Sequence, residues 1–389
     1  MPASPPALSA GAPAGSRRST SAWPLALATA CVVVYASLYP FSDWRNQGLA
    51  PWAFLGAPMP RYWTAFDLWV NLLGYAPLGF FLALTVMRGT RLTWPVTLAT
   101  AAAAGLSLAM EAAQTYLPAR VPSSLDFMLN AGGAWLGAGL AFGLERWGVL
   151  QRWSQFRDRW FLPEARGALV LLALWPAALL FPASVPLGLG QVVERLEEAL
   201  VELLEGTPFL QWLPVRDVEL QPLAPGSVVI CVALGALVPA LLGYGVIRRT
   251  ARRLVFLGLL LLVAVAATAL SSALSFGPEH AWAWLDQPVR FGLAGALLLG
   301  LAALVLPPRG AAALALLAVG LQLALLNQAP SDPYFEQTRQ VWEQGRFVRF
   351  NGLTQWLGWL WPFAALAYLV LRLSRSQSLA EDPHVEFRA

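Results

Sequence analysis

The sequence contains no lysine. All 26 basic residues among its 389 are arginines, set against 22 acids, and only 12% of the chain is charged. A soluble domain carries about 25%. With 57% hydrophobic residues and a mean hydropathy of +0.56, a water-soluble fold would have to hide more apolar surface than it can enclose. Cysteine and histidine are almost missing. Cys31, Cys231, His280 and His384 cannot build a disulfide framework or a Cys/His zinc site, so no metal centre of that kind is expected. No P-loop, GxSxG or HExxH motif occurs. The pI of 9.4 would suggest nucleic acid if the cations were clustered. They are scattered between apolar segments instead, which is the pattern of membrane topology, and no nucleic-acid partner is expected.

What the chain has in abundance is apolar runs and 18 tryptophans. A bilayer core of about 30 Å takes roughly 20 apolar residues per helix. Such segments fall at 23–41, 65–87, 92–112, 124–144, 166–185, 226–246, 253–274, 289–306, 310–327 and 353–373. The predicted fold is all-α: a polytopic helical membrane protein of about ten transmembrane helices, solvated by the lipid bilayer. Placing the N-terminus in the cytoplasm puts seventeen of the 26 arginines on the inner side and most acids on the outer side. That satisfies the positive-inside rule and predicts a multi-pass protein of the cytoplasmic (inner) membrane with both termini inside.

The predicted organisation has five parts. Residues 1–22, rich in Pro, Ala, Gly and Ser, form a disordered cytoplasmic tail. Residues 23–145 form a four-helix membrane domain. Residues 146–165, with arginine and tryptophan interleaved, form a cytoplasmic amphipathic linker on anionic lipid. Residues 166–375 form a six-helix membrane domain, and 376–389 a cytoplasmic tail. Within the second domain, 187–225 is an acidic outer loop. Its stretch from Gln191 to Gly206 has Val193, Leu196, Leu200 and Leu203 on one helical face, which is expected to pack on protein. Asp286 and Arg290, four residues apart, are expected to form an ion pair.

Polar residues inside spans are costly and therefore mark function. Asp67 and Asn71 lie four apart in the second span, so they share a helix face. Pro77 and Gly79 follow, where a kink and close packing are expected. The third span ends with Ser107, Glu111 and Gln114, again on one face, and Arg120 follows in the loop. The fourth span opens with Asp126 and Asn130. Gly133 and Gly137, then Gly139 and Gly143, form two GxxxG steps for close helix approach. The topology brings all these polar residues to the outer ends of spans two to four. Three acids facing one arginine call for a cation, a ligand amine or protonation, and a divalent cation is one candidate ligand. The competing reading is a purely architectural network, with Asp126 as a helix cap and Arg120 neutralising Glu111 or Asp126.

The same residues resemble the VanZ-like family, named for a membrane protein of teicoplanin resistance. Its pattern is Glu-x-x-Gln at a helix end, an Arg, an Asp six residues later, then Asn and Gly. Here these are Glu111, Gln114, Arg120, Asp126, Asn130 and Gly133. The upstream Asp-x-x-x-Asn and Pro-x-Gly are matched by Asp67, Asn71, Pro77 and Gly79. Many members carry an acid three residues after the arginine, where this chain has Ser123. The resemblance covers about residues 30–145. It implies an integral membrane protein of the bacterial cell envelope and a link to glycopeptide antibiotic resistance. It does not imply a particular substrate or catalysis. Combined with the outer-face cluster, it points to binding or modifying a lipid-linked or cell-wall-related ligand. The alternatives are a membrane transporter and a non-catalytic scaffold for envelope-synthesis partners.

Overall fold

The computed structural model describes residues 22–39, 41, 43–58, 65–89, 94–212, 220–276, 278–330 and 348–381, with the side chains of 65–67, 88–89, 348–353 and 375–381 left aside. The expected tail over most of 1–22 lies outside these residues. The chain is built from α-helices, with no strand among the described residues beyond an isolated bridge between Phe161 and Ile247. Each of the ten expected apolar segments contains a helix, though not always over its whole length. Among the described residues eight helices are long and apolar enough to cross a membrane. The chain divides into two compact units, Met1–Val149 and Leu150–Ala389.

In the first unit α1 (Ala22–Leu38), α2 (Ala65–Gly89), α3 (Pro95–Gln114) and α4 (Ser124–Arg146) pack together. In lipid, apolar side chains gain nothing by leaving solvent, so close backbone packing must hold helices together. The sequence supplies this at α2 and α4. A Cβ added at Gly133 would strike the Leu72 carbonyl, one at Gly137 the Ala76 carbonyl, and one at Gly79 the Ala134 carbonyl. The second GxxxG step is not used this way: Gly139 meets open space and Gly143 only the Trp147 ring. Pro77 lies within α2, which continues through it. Tyr75, Leu78, Ala103, Ala134 and Val33 form the core between the helices.

The second unit contains α5 (Val149–Trp160), α6 (Arg166–Ala178), α7 (Val193–Leu204), α8 (Pro225–Tyr244), α9 (Thr250–Phe276), α10 (Gln287–Ala302), α11 (Pro308–Leu326) and α12 (Val348–Glu381). Helix α8 is apolar on every side and is buried without interruption from Cys231 to Tyr244, flanked by α10 and α11. A helix hydrophobic all round belongs in a core. Helix α12 runs on to Glu381, so the expected tail at 376–389 begins as helix.

Four expectations change here. The segment expected to span at 166–185 is helical only to Ala178. Thirteen residues rise about 20 Å, short of the hydrocarbon thickness. Beyond it, 179–192 runs without helix and turns back into the unit. Leu187, with φ +62°, puts its carbonyl and Cβ against Gly235, halfway along α8. The start of the expected outer loop is therefore core. Non-helical backbone at this depth must be satisfied by protein. Gln322 donates to the Leu187 carbonyl at 3.1 Å, and Asn327 donates to the Gly190 carbonyl at 3.1 Å. The Oδ1 of Asn327 accepts the N–H groups of Val192 and Val193, each at 3.0 Å. Apolar composition alone does not distinguish such a buried segment from the end of a span.

The other three changes are local. The end of the expected linker docks on the α8–α9 turn: Leu162 N–H donates to the Val246 carbonyl at 2.8 Å, and Arg252 stacks over Trp160. Helix α7 forms as the pattern predicted, but its apolar face is only partly covered: Val193 and Leu200 are half-buried, while Leu196 is 56% and Leu203 74% exposed. Asp286 caps α10 by accepting the N–H of Val289 at 3.0 Å, and Arg290 donates to the Leu285 carbonyl, so helix capping replaces the expected ion pair.

Candidate functional site

Three helices of the first unit converge where α3 ends and α4 begins. Glu111 lies in the last turn of α3 and is 3% exposed. Its Oε2 accepts the backbone N–H of Ser123 at 2.8 Å. Ser123 is the N-cap of α4, and its Oγ accepts the N–H of Leu125 at 3.1 Å. One serine thus satisfies an orphan donor of α4 while offering its own N–H to Glu111. The cap falls to Ser123, at the position where the resembled pattern has an acid. The Oδ1 of Asp126 accepts a hydrogen bond from the Nδ2 of Asn71 at 2.7 Å, tying α4 to α2.

One turn further into α4, Asn130 is 5% exposed and its Nδ2 donates to Ser107 Oγ of α3 at 3.0 Å. Tyr75 of α2 comes to the same place, with Ser107, Glu111 and Ser37 around its hydroxyl. Tyr75 is 4% exposed. The Oδ1 of Asn130 is buried without a hydrogen-bond partner among the described residues; the Tyr75 hydroxyl has the Ser107 and Ser37 hydroxyls as neighbours, though with no hydrogen bond of good geometry. Leaving such an atom unpaired costs about 1–3 kcal/mol.

Two of the remaining expected residues reach back to α1. Gln114 Nε2 donates to the Ser37 carbonyl at 2.9 Å. Arg120 donates to the carbonyls of Ala36 at 3.1 Å and Tyr39 at 3.0 Å. Helix α1 ends at Leu38, so both side chains serve the orphan carbonyls of its last turn, where a cation also suits the helix dipole. Asp67 lies in α2 one turn before Asn71, but its side chain is outside the described residues. Pro77, Gly79, Gly133 and Gly137 act in the helix contact above. Tyr75 and Ser37 were missed from the sequence. The spacing Asp67, Asn71, Tyr75 continues one helix face and would have pointed to the tyrosine.

Removing the Ser123 hydroxyl tests the local architecture. Ser123→Ala is expected to cost about 0.5–2 kcal/mol through loss of the cap, while its N–H still reaches Glu111. A lowered unfolding temperature of the detergent-solubilised chain, with unchanged helix content, is the result to look for.

The VanZ/LLP1 family model matches residues 15–145, about a third of the chain, so this part of a helical membrane protein is similar to that family. No curated protein and no solved structure matches the chain.

Proposed function

We propose that the VanZ-like unit binds the polar end of a lipid-linked or cell-wall-related ligand at the outer face of the bacterial cytoplasmic membrane. The observation that carries this reading is the buried polar cluster of Tyr75, Asn130 and Glu111, in which Asn130 Oδ1 has no hydrogen-bond partner among the described residues. Isolated helix caps would not gather such groups at one place. Glu111 and Asp126 supply negative charge for a ligand amine, a ligand hydroxyl or a bridging cation; Asn71 and Asn130 fix their geometry. The arginine distribution supports the outer placement, and the family resemblance supports an envelope role connected with glycopeptide resistance.

A divalent cation is a narrower form of the same proposal. Among the described residues no three His, Cys, Asp or Glu side chains group to hold a metal. A cation there requires Asp67 to join Glu111 and Asp126.

The test is binding of a short-chain polyprenyl-pyrophosphoryl sugar to the full chain in lipid nanodiscs, measured by calorimetry with and without magnesium. Tyr75→Phe is expected to weaken binding about fivefold, the worth of one hydrogen bond of about 1 kcal/mol. Gln114→Ala is expected to leave the affinity unchanged, since that side chain serves α1. Equal affinities for wild type and Tyr75→Phe would make the cluster architectural. A magnesium requirement would add the cation.

A further inference from the structure

Helix α5 stands outside the core: none of its 12 residues is buried. Its sequence divides the helix surface lengthwise. With 3.6 residues per turn, Trp153, Phe156 and Trp160 fall within about 60° of one another. Arg152 and Arg159 border this stripe on one side and Arg157 on the other, while Gln151, Gln155 and Asp158 lie opposite. In the structure the three rings follow one another, with centroids 5.6 Å apart from Trp153 to Phe156 and 5.1 Å from Phe156 to Trp160. Trp153 and Phe156 are exposed.

The C-terminal end of α5 is held in place. The Trp160 carbonyl accepts the N–H of Arg248 at 3.2 Å, the Phe161 carbonyl accepts Arg248 Nε at 3.0 Å, and Arg252 donates to the Arg159 carbonyl. Arg248 lies in the turn between α8 and α9, both long and apolar enough to cross a membrane. The end of α5 therefore lies at the level where two spans leave the hydrocarbon. Charge there is one-sided. Over 150–166 and 247–253 the chain has eight arginines and two acids, and one of those acids, Asp158, is paired with Arg157 at 3.1 Å. Arg152, Arg159, Arg248 and Arg249 are exposed.

We propose that α5 is a fixed interfacial platform for anionic phospholipid, with Trp153 and Phe156 entering the boundary between headgroups and acyl chains and Arg152 and Arg159 meeting the phosphates. Three observations favour a lipid surface as the occupant. An aromatic stripe bordered by arginines is the division that lays a helix in the plane of the interface. The clamp on the α8–α9 turn puts that stripe at the level where tryptophan is favoured. The arginine excess is complementary to anionic headgroups and to nothing else at that level.

The experiment is photo-crosslinking of the full chain in nanodiscs made of equal parts phosphatidylglycerol and phosphatidylcholine, with p-benzoylphenylalanine in place of Phe156 or, as the opposite-face control, in place of Gln151. Intact-mass spectrometry reads the adducts. The probe at 156 is expected to capture lipid and the probe at 151 not to. At 156 phosphatidylglycerol adducts are expected to exceed phosphatidylcholine adducts about fivefold, the worth of one arginine near an anionic surface. Arg152→Gln together with Arg159→Gln is expected to bring the ratio close to that of the bilayer. Arg152→Lys together with Arg159→Lys is expected to keep the preference, since a lipid surface reads the charge. Equal lipid capture at 151 and 156, or none at 156, would overturn the proposal. So would a phosphatidylglycerol preference that survives the double glutamine change or is lost in the double lysine change. Chain-to-chain adducts at 156 in place of lipid would make this face an interface between copies and would overturn the lipid assignment.

Discussion

Gly137→Val is expected to take the first unit apart, while Gly139→Val two residues away leaves it intact. The Cβ at 137 would collide with the Ala76 carbonyl, which is backbone of α2 and has no rotamer to yield. Overpacking usually costs about 1–3 kcal/mol when side chains can shift. Here the helices themselves must separate, so the cost lies at or above the upper end. Separation also breaks the Asn71–Asp126 hydrogen bond, because the two residues sit on the same pair of helices. The Cβ at 139 meets open space. Size-exclusion profiles and unfolding temperatures in detergent, compared between the two variants, check this. Equal behaviour would mean that α2 and α4 are not held by that contact.

Glu111 is where stability and binding can be told apart. Glu111→Leu removes the acceptor of the Ser123 N–H and the negative charge together. The orphaned donor at the start of α4 is expected to cost about 1–3 kcal/mol, and ligand binding should be lost. Glu111→Gln keeps a carbonyl for Ser123 and is nearly the same size. It should fold close to wild type yet bind the polyprenyl-pyrophosphoryl sugar at least tenfold more weakly, because the charge is gone. Calorimetry and thermal unfolding on the same samples separate the two effects. A glutamine variant that binds like wild type would reduce Glu111 to a structural acceptor.

Much of this arrangement could be read from spacing. Topology puts Asn71 and Asp126 at one depth, and the GxxxG spacing puts Gly133 and Gly137 on one face suited to a helix contact; the Asn71–Asp126 pairing itself is seen only in the structure. The roles of Gln114 and Arg120 could not be read this way. Both have the residue types of a ligand site, but they turn to the carbonyls of Ala36, Ser37 and Tyr39. Which backbone groups are orphaned depends on where α1 stops and what crosses its end, and no local pattern carries that. The segment after Ala178 was hidden for a different reason. A buried non-helical stretch needs the same Leu, Val, Ala and Pro as a span end. What satisfies its backbone, Gln322 and Asn327, lies more than 130 residues away in the chain. The exposed Leu203 of α7 shows a further limit: amphipathic spacing predicts that a helix forms, not what covers it.

The central claim is that the junction of α2, α3 and α4 receives a group from outside the chain. An electron-microscopy map of the full chain in lipid nanodiscs, at side-chain resolution, tests it most directly. Non-protein density is expected within hydrogen-bonding distance of Tyr75 Oη and Asn130 Oδ1, beside Glu111. A junction in which those two atoms hydrogen-bond only to the chain itself, with no added density, would contradict it.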